Sequence, residues 1–410
     1  MRFTIDQSQL LQALDAVSDV VPSKTAIPVL SHLLVVGLQE KSDQAGPAKG
    51  HIALSATDLD ISITASLSVS LSEPGRFTVP ARKFIEIVRE LPEGPLSIQA
   101  EDHKVTLCSS ALGGKSPSVD SEGGGIQPGQ GIYILMGLPP EDYPELPAGI
   151  EGTLLQFGEN NGFDGNIFKN MISKTAFAVS RDETRPVLNG VLCQIRPEGI
   201  TMVATDGHRL VRHSKSFDLK RYLKGSEQTE VIIPPRALQH LVKLLSGTNT
   251  LTRCVIGENH ILFDLDQTKL FSRLIEGPYV DFEQVIPQNN THRLNVSNSA
   301  ITPSVRRVSI LSNTQTHQIR LRLGQHELEL SAVSQDVGGE ARESIPADYT
   351  GQEMEVGYNS VYLLDILKRI DSEDVVFDLN TPVTAGIVRP AVQPEGEDYL
   401  CLLMPLRLSD

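Results

Sequence analysis

The stretch Met202-Val203-Ala204-Thr205-Asp206-Gly207-His208-Arg209-Leu210-Val211 sets a charged tight turn between two apolar runs. Asp206-Gly207 is a strong hairpin signal, because glycine tolerates the positive φ that a tight turn demands. We therefore predict a strand, a turn and a second strand, with His208 and Arg209 at the exit of the turn. An acid this close to a histidine also suggests general acid–base catalysis, so the rest of the chain must decide between a structural and a chemical role.

The segments around this turn recur along the chain in the same order, which indicates an internal repeat. Ala204-Thr205-Asp206 matches Ala56-Thr57-Asp58, and the apolar strand 187–192 matches 29–34. A proline-marked helix start also recurs, as Val79-Pro80-Ala81-Arg82 and Ile233-Pro234-Pro235-Arg236. A third and weaker copy has a strand at 319–323, two more at 328–333 and 340–345, and a final strand at 399–408. Because three segments match in order, we predict three related domains.

Each copy combines two helices with roughly eight short strands, so the predicted fold class is α+β, with two helices packed on antiparallel sheets in each domain. The predicted domains are 1–149, 150–286 and 287–410. Apolar spacing predicts six helices, at 6–19, 81–91, 164–178, 235–245, 297–310 and 359–370. Pro303 limits where the fifth helix can start. Two helices cannot cover both faces of so much sheet, so one face is left to partners or solvent. A linker at 40–50 and a Gly/Ser/Pro-rich insertion at 113–131 interrupt the first domain, and we interpret the insertion as a mobile loop.

Composition excludes several classes of function. The 410 residues include no Trp and only 5 % aromatic residues, which is poor material for stacking bases. The four cysteines are far apart, so neither a zinc site nor a redox motif is expected, and we predict no cofactor and no metal. The N-terminus has no apolar signal core, and no run approaches the roughly 18 apolar residues of a membrane span. We therefore expect a cytoplasmic protein that does not bind membranes.

Positive charge is concentrated on the predicted helices. They carry eleven Lys and Arg against seven Asp and Glu, a net of +4, whereas the chain carries −15 and the remainder therefore −19. One interpretation is that Lys and Arg are good helix formers on solvated faces. The other is a positive surface that meets a polyanion, with salt-sensitive and sequence-independent contacts to phosphates. Glu forms helices equally well but is scarce in the last five helices, which favours the second interpretation.

Several motifs together resemble the bacterial DNA polymerase III β subunit, the sliding-clamp family. They are Ala204-Thr205-Asp206-Gly207-His208-Arg209-Leu210, Val79-Pro80-Ala81-Arg82-Lys83-Phe84, Leu188-Asn189-Gly190, Ile310-Leu311-Ser312-Asn313 and Met404-Pro405-Leu406-Arg407-Leu408. The resemblance implies a head-to-tail homodimeric ring of six domains, in which twelve helices line a hole around double-stranded DNA. It also implies a non-catalytic processivity factor of DNA replication. The partners would be the clamp loader and the replicative and other DNA polymerases and repair proteins that carry clamp-binding motifs.

The resemblance also assigns residues. A cleft between the second and third domains would receive partner peptides, with these residues: Leu188, Thr205, Gly207, His208, Arg209, Leu210, Val280, Val285, Tyr362, Leu402, Leu403, Met404, Pro405, Leu406 and Arg407. Most of the DNA-facing residues follow from the basic helices counted above, and the resemblance adds the loop residue Lys24. The full set is Lys24, Arg82, Lys83, Arg89, Lys169, Lys174, Arg185, Arg236, Lys243, Arg306, Arg307, Lys368 and Arg369. The dimer interface would include Tyr133, Ile310 and Leu311. Val280 and Gln284 stand where the family commonly has a proline and a basic residue, and Ser409-Asp410 extend past its usual end.

Two other functions compete with a clamp. An enzyme that used Asp206 and His208 would need a nucleophile or a metal nearby, but the sequence contains no H-x-x-x-H, Walker A or G-x-S-x-G motif. Asp58 repeats Asp206 without a histidine after it, so a turn-forming role explains both aspartates and a catalytic role explains only one. A protein that grips DNA tightly should be strongly positive, whereas this chain is acidic.

Overall fold

The computed structural model describes residues 1–39, 49–110, 130–147, 149–158, 163–225, 228–247, 250–334 and 338–408. Most of the predicted linker 40–50, residues 113–129 of the predicted insertion and the terminal pair Ser409-Asp410 lie outside these described residues. Within the described part of the chain, no helix is long and apolar enough to cross a membrane.

All of the helices except α5 begin where the sequence supplies a capping side chain or a proline. The side chains of Asp6, Asp164 and Asn359 accept hydrogen bonds from backbone N–H groups in the first turns of α1, α3 and α6, which satisfies donors that have no partner within the helix. The helices are α1 Gln7–Ser18, α2 Ala81–Glu90, α3 Gly165–Thr175, α4 Pro235–Leu244, α5 Asn298–Val308 and α6 Ser360–Leu367. All six predicted helices are confirmed. Pro303 does not limit the start of α5, because it lies inside the helix.

The strands of the first half of the chain are β1 Arg2–Asp6, β2 His32–Gln39, β3 Lys49–Thr57, β4 Ile61–Glu73, β5 Gly75–Pro80, β6 Pro95–Glu101, β7 Lys104–Ser110, β8 Gln130–Met136, β9 Thr153–Gln156, β10 Val191–Arg196, β11 Gly199–Thr205 and β12 Arg209–Ser216. Those of the second half are β13 Leu223–Lys224, β14 Thr229–Ile233, β15 Arg253–Ile256, β16 His260–Leu265, β17 Thr268–Arg273, β18 His292–Ser297, β19 Gln318–Leu323, β20 Glu327–Ser334, β21 Gly339–Pro346, β22 Asp348–Tyr349, β23 Met354–Asn359, β24 Asp374–Leu379, β25 Gly386–Pro390 and β26 Glu397–Leu403.

The chain forms two compact units. Unit 1 comprises Met1–Gly158 and Gln239–Arg273, and unit 2 comprises Glu159–Leu238 and Leu274–Asp410. One antiparallel sheet of unit 1 follows the path β9-β15-β16-β17-β4-β1-β6-β7-β8, with β3 beside β4 and β2 between β3 and β5. Unit 2 has one sheet in the order β14-β10-β11-β12-β26-β25-β24-β18-β22 and a second in the order β21-β20-β19-β23.

Both units contain a sheet that passes from one sequence repeat to the next. In unit 1, β4 of the first repeat pairs with β17 of the middle repeat. In unit 2, β12 of the middle repeat pairs with β26 of the third. Strands from different repeats share a sheet in this way, so the two compact units do not coincide with the three predicted domains. The domain boundaries 1–149, 150–286 and 287–410 stay a prediction.

The helices are amphipathic, as their sequence spacing predicts. In α2, the side chains of Ala81, Phe84, Ile85 and Val88 are buried, whereas most of the charged positions between them are exposed. Burying a side chain the size of Phe84, Ile85 or Val88 contributes about 1.5–3 kcal/mol relative to leaving it in water. Within unit 1, α2 packs against α1, and within unit 2, α5 packs against α6. Because the apolar face of a helix such as α2 is buried, its opposite, charged face points toward solvent.

Candidate binding cleft and basic surface

The turn after β11 is closed by its own side chains. The Thr205 hydroxyl donates to the Arg209 carbonyl at 2.7 Å and accepts from the Gly207 N–H at 3.1 Å. One carboxylate oxygen of Asp206 accepts from the N–H groups of His208 and Arg209, both at 2.9 Å. Gly207 has a φ of +89°, which favours glycine. The sequence Thr-Asp-Gly is therefore used to build a tight, rigid connection between β11 and β12.

The equivalent turn of the first repeat has the same hydrogen bonds. The Thr57 hydroxyl donates to the Ile61 carbonyl at 2.9 Å and accepts from the Leu59 N–H at 3.0 Å. Asp58 accepts from the N–H groups of Asp60 and Ile61 at 3.1 and 2.8 Å. Two aspartates thus do the same structural work in two repeats, and only one of them is followed by a histidine. The turn-forming interpretation of Asp206 is confirmed.

Arg209 connects this turn to α6. Its guanidinium lies 3.1 Å from the second carboxylate oxygen of Asp206 and 2.9 Å from Asp365, and it donates to the Phe177 carbonyl at 3.1 Å. It also lies over the Tyr362 ring, 4.4 Å from the centroid. Only 7 % of Arg209 is exposed. Arg209 was predicted as a residue of the cleft, but its burial and bonding make it a support behind the turn.

A buried apolar cluster lies on one face of the unit 2 sheet beside the turn. Its centre is formed by Leu210 and Leu402, which are direct partners in the β12–β26 register. The other members are Leu192, Val203, Ile232, Phe282, Ile286, Ile387 and Leu400, with Val187, Ile275, Tyr279 and Ala385 packed against them. Among the predicted cleft residues, Leu188 and Thr205 are also buried. We call this cluster the floor of the candidate cleft.

Leu403 does not belong to the floor, although it was predicted as a cleft residue. Successive side chains of a strand point to opposite faces of the sheet. Leu400 and Leu402 lie in the floor, so Leu403 points to the other face, where it is completely buried. The prediction of Leu403 as a cleft residue is therefore wrong, because the strand alternates within 402–407.

The rim around the floor is exposed and apolar. Val280, Val285 and Met404 are 43 %, 57 % and 42 % exposed. Val280 follows Tyr279 and Val285 precedes Ile286, both of which contact the floor, so the segment 279–286 forms one side of the rim. The other side is held by backbone hydrogen bonds from Met404 N–H to the His208 carbonyl (2.9 Å) and from Leu406 N–H to the Gly357 carbonyl (2.8 Å).

The remaining predicted cleft residues lie in the turn after β11, on α6 and in the segment after β26. The ring of His208, which is exposed, stacks on Tyr362 with 6.2 Å between centroids. Gly207 and Arg407 are exposed, and Pro405 and Leu406 are half-buried. Phe282 and Ile286 of the floor and Tyr279 beside it are not among the predicted cleft residues, although their apolar spacing in 279–286 signals a buried face. Gln284, one of the departures from the family, donates to Asp281 at 2.7 Å on the exposed side.

Most of the predicted DNA-facing residues are exposed, but about half of them are ion-paired. Lys83, Arg89, Arg185, Lys243 and Arg307 pair with Glu86, Asp15, Asp182, Asp19 and Glu343. Asp15 of α1 and Asp19, which follows that helix, are neutralised by bases from elsewhere in unit 1. Arg236 is exposed, and Arg369 lies over the Phe177 ring at 4.5 Å. The positive field of the helices is therefore weaker than the residue count suggests.

A smaller group of these bases has neither an ion pair nor a side-chain hydrogen bond within the described ranges of the chain, unlike Arg369, which donates to the Ser173 carbonyl at 3.3 Å. The group consists of Lys24, Arg82, Lys169, Arg306 and Lys368, and all but the half-buried Lys169 are exposed. Lys174, by contrast, is a correction to the prediction. Only 8 % of Lys174 is exposed, and its ammonium lies 3.0 Å from Asp371 and 3.3 Å from Glu397. A buried, doubly paired lysine is not available to DNA.

Strand β8 lies at one edge of the unit 1 sheet and exposes apolar side chains on both faces. Ile132, Tyr133, Ile134 and Met136 are between 36 % and 61 % exposed. In unit 2, Ile310 is 76 % exposed, whereas Leu311 is half-buried. The predicted interface residues Tyr133 and Ile310 are therefore accessible. An edge strand with unpaired backbone groups and apolar side chains is a ready surface for pairing with another chain.

Comparison with known proteins gives a consistent result over the full length. Three family models match in order: the N-terminal domain of the DNA polymerase III beta subunit over residues 1–147, its central domain over 163–281 and its C-terminal domain over 283–407. The chain is 28 % identical to the beta sliding clamp of Chlamydia muridarum and 29 % identical to that of Escherichia coli K12, in each case with all of both chains covered.

Solved structures agree with the sequence comparison. A DnaN sliding clamp from Pseudomonas aeruginosa bound to griselimycin superimposes with a TM-score of 0.83 at 27 % identity. A DNA polymerase sliding clamp from Bacillus subtilis gives a TM-score of 0.83 at 26 % identity. Both superpositions cover all of both chains.

Within the described residues, no group of His, Cys, Asp and Glu side chains is arranged to hold a metal ion.

Proposed function

Because the chain belongs to the DNA polymerase III β subunit family and is a β sliding clamp, we propose that two copies close head to tail around duplex DNA and that the cleft of each copy holds partner peptides. A clamp is a non-catalytic subunit, which agrees with an Asp206 carboxylate engaged by its own turn. The proposed partners are the clamp loader and the DNA polymerases and repair proteins that carry clamp-binding motifs. The ring would act in the cytoplasm.

The observation that carries the cleft proposal is the exposed apolar rim above a buried floor. Exposed apolar residues that gather in one place mark interaction sites on proteins that are otherwise covered by polar groups. Val280, Val285 and Met404 would cover the leucine and phenylalanine side chains of a Q-L-x-L-F-type peptide. Methionine suits this role because its flexible side chain adapts to different peptides. His208 and Arg407 at the edge supply polar groups that can orient the peptide backbone.

The edge strand β8 supports the proposed ring. Pairing β8 of one copy with an edge of the β21-β20-β19-β23 sheet of a second copy would satisfy its backbone groups and cover Tyr133 and Ile134. Ile310 would lie in the same contact. A head-to-tail contact of this kind closes when two copies meet twice, which gives a two-fold ring.

The distribution of charge supports sliding over gripping. A closed ring stays on DNA because the duplex cannot leave sideways, so no single contact has to be strong. Lys24, Arg82, Lys169, Arg306 and Lys368 would make weak, sequence-independent contacts to phosphates. The net charge of −15 opposes tight binding elsewhere on the surface.

A peptide-binding experiment tests the cleft. A labelled Q-L-x-L-F peptide is titrated with the wild-type chain, Met404→Asp and the matched control Val333→Asp, whose valine is 62 % exposed on β20, outside the sheet that carries the floor. Placing a carboxylate on the apolar rim should raise Kd at least 100-fold, because the charge would lose water on peptide binding. The control should bind as the wild type does. Equal affinity for Met404→Asp and wild type would show that the peptide binds elsewhere.

A DNA-retention experiment tests the ring. After loading onto nicked circular DNA, the protein should remain bound during gel filtration at high salt, and it should leave when the DNA is cut once. Equal retention on short open duplex would contradict encirclement.

A further inference from the structure

The two sheet junctions are built alike, yet one of them contains a cluster of buried charges. In unit 1, a cavity of about 320 Å³ lies where α1 faces β4 and β17, and it is lined by Gln, Ser, Thr, Ala and Leu side chains without any charged group. In unit 2, a cavity of about 760 Å³ lies where α3 faces β12 and β26. We call the second one the junction cavity. When the helix caps Asp6 and Asp164 are matched, Ala16 corresponds to Lys174. When the turn residues Asp58 and Asp206 are matched, Ala65 corresponds to His213.

Glu397 is the centre of the charged cluster. One of its carboxylate oxygens lies 2.9 Å from His213 Nε2 and 3.3 Å from the Lys174 ammonium, and the other lies 3.4 Å from Lys215. Lys174 also pairs with Asp371 at 3.0 Å. Burial lowers the pKa of His213 to about 4, so the imidazole is neutral at pH 7. Because alanines occupy the equivalent positions in unit 1, the fold does not require these charges, and a buried ion pair is weak evidence for stability.

The cavity is acidic once its internal pairs are counted. Lys174 and Lys215 are balanced by Glu397 and Asp371. The remaining carboxylates of the lining are Asp164, Glu373 and Asp374. Asp164 caps α3, whereas Glu373 and Asp374 have no cation within 4.0 Å in the described part of the chain. On the far side of Glu373, Arg306 and Lys368 line a separate groove and moderate its charge.

The mouth of the junction cavity is also apolar. Val392 is 77 % exposed, and Pro390 and Pro394 lie on either side of it in the lining. Met171 and Ile167 of α3 line the same cavity. A volume of this size suits a peptide segment of a few residues. Nucleic acid does not fit the site, because the surplus carboxylates repel phosphates.

We propose that the junction cavity is a second docking site on the clamp, separate from the cleft, for a partner segment that places a lysine or arginine side chain beside an apolar residue. The basic side chain meets Asp374 and Glu373, and the apolar side chain covers Val392. Lys174, His213 and Glu397 shape the wall of the cavity and keep its own cations neutralised. The charge complementarity of the mouth selects a basic peptide as the occupant.

The experiment uses the full chain with methyl-labelled methionine and the probe peptide S-R-L-R-G. The Met171 methyl signal should shift on titration, and the acidic peptide S-E-L-E-G should cause no shift. Asp374→Asn combined with Glu373→Gln should weaken binding about tenfold, and Val392→Ser should weaken it several-fold. The matched control Glu183→Gln with Glu198→Gln removes two exposed carboxylates elsewhere in unit 2 and should leave the affinity unchanged.

Competition separates this proposal from the proposed function. A saturating Q-L-x-L-F peptide should leave the Met171 shift in place, because the two sites are distinct. Displacement of S-R-L-R-G by that peptide, an unmoved Met171 signal at millimolar probe, or equal binding of the basic and acidic probes would each overturn the junction site. None of these outcomes affects the Q-L-x-L-F affinity, which is measured in the same samples.

Discussion

Replacing Arg209 tests whether a buried side chain behind the cleft determines peptide binding in front of it. Arg209→Ala removes the guanidinium that lies between Asp206 and Asp365, at 3.1 and 2.9 Å. The side chain of Asp206 is only 13 % exposed, so its carboxylate would lose its counter-charge with little water to replace it. Asp365, at 30 % exposure, is better hydrated.

The magnitude follows from the burial of these groups. Removing one partner of a buried ion pair costs about 3–5 kcal/mol when the other stays buried and charged. Because Asp206 keeps two backbone N–H donors and Asp365 is partly hydrated, we expect the lower end, about 3 kcal/mol. Asp365→Asn leaves the Asp206 pair intact and should cost about 1 kcal/mol.

The assay combines hydrogen exchange with peptide binding. In Arg209→Ala, the backbone amides of residues 208 and 209 should exchange about 100-fold faster than in the wild type, because the free energy needed to open the turn falls by about 3 kcal/mol. The affinity for the Q-L-x-L-F peptide should fall about tenfold, because the turn holds His208 in its place at the rim. Asp365→Asn should show both effects more weakly. Unchanged exchange and affinity in Arg209→Ala would refute the supporting role.

Three further predictions concern pH, backbone strain and the edge strand. The pKa of His213 is about 4 in the folded chain and about 6.5 in the unfolded chain, so protons favour unfolding as pH falls. The contribution of His213 to the free energy of unfolding is therefore complete above pH 6.5 and is lost between pH 6.5 and 4, by up to about 3 kcal/mol. In denaturation experiments across this pH range, the unfolding free energy of His213→Gln should lack that decrease. Leu59 has a φ of +83° at the position where the equivalent turn has Gly207, a conformation that is strained for leucine. Leu59→Asn should therefore raise the free energy of unfolding, measured in urea, by about 1 kcal/mol. A lower free energy of unfolding in this variant would contradict the proposed strain. Ile134 of β8 is 54 % exposed, and Ile134→Glu should reduce the solution mass measured by light scattering from about twice 44.7 kDa to 44.7 kDa, whereas Val383→Glu should not. A dimer that survives Ile134→Glu would place the interface elsewhere.

Much of the fold could be predicted because the evidence for it is local. The spacing of apolar residues fixes which face of α2 is buried, and Asp6, Asp164 and Asn359 mark helix starts by their own capping bonds. The Thr-Asp turn also depends on atoms within five residues of one another, so its two copies at 57–61 and 205–209 could be recognised as structural before any geometry was known.

The tertiary structure decided which of the chosen side chains are accessible. Leu403 points away from the cleft because β26 pairs with β12 in one register, with Leu402 opposite Leu210. Lys174 was assigned to the DNA-facing surface from its helix, but it is buried against Glu397, 223 residues further along the chain. Arg209 likewise pairs with Asp365, 156 residues away. The local sequence pattern determines whether a segment is a helix or a strand and which of its faces is exposed. The charge partners of a side chain and the orientation of a strand depend instead on which distant segments pack together. The physical reason is that a counter-charge can come from any part of the chain that the fold brings near.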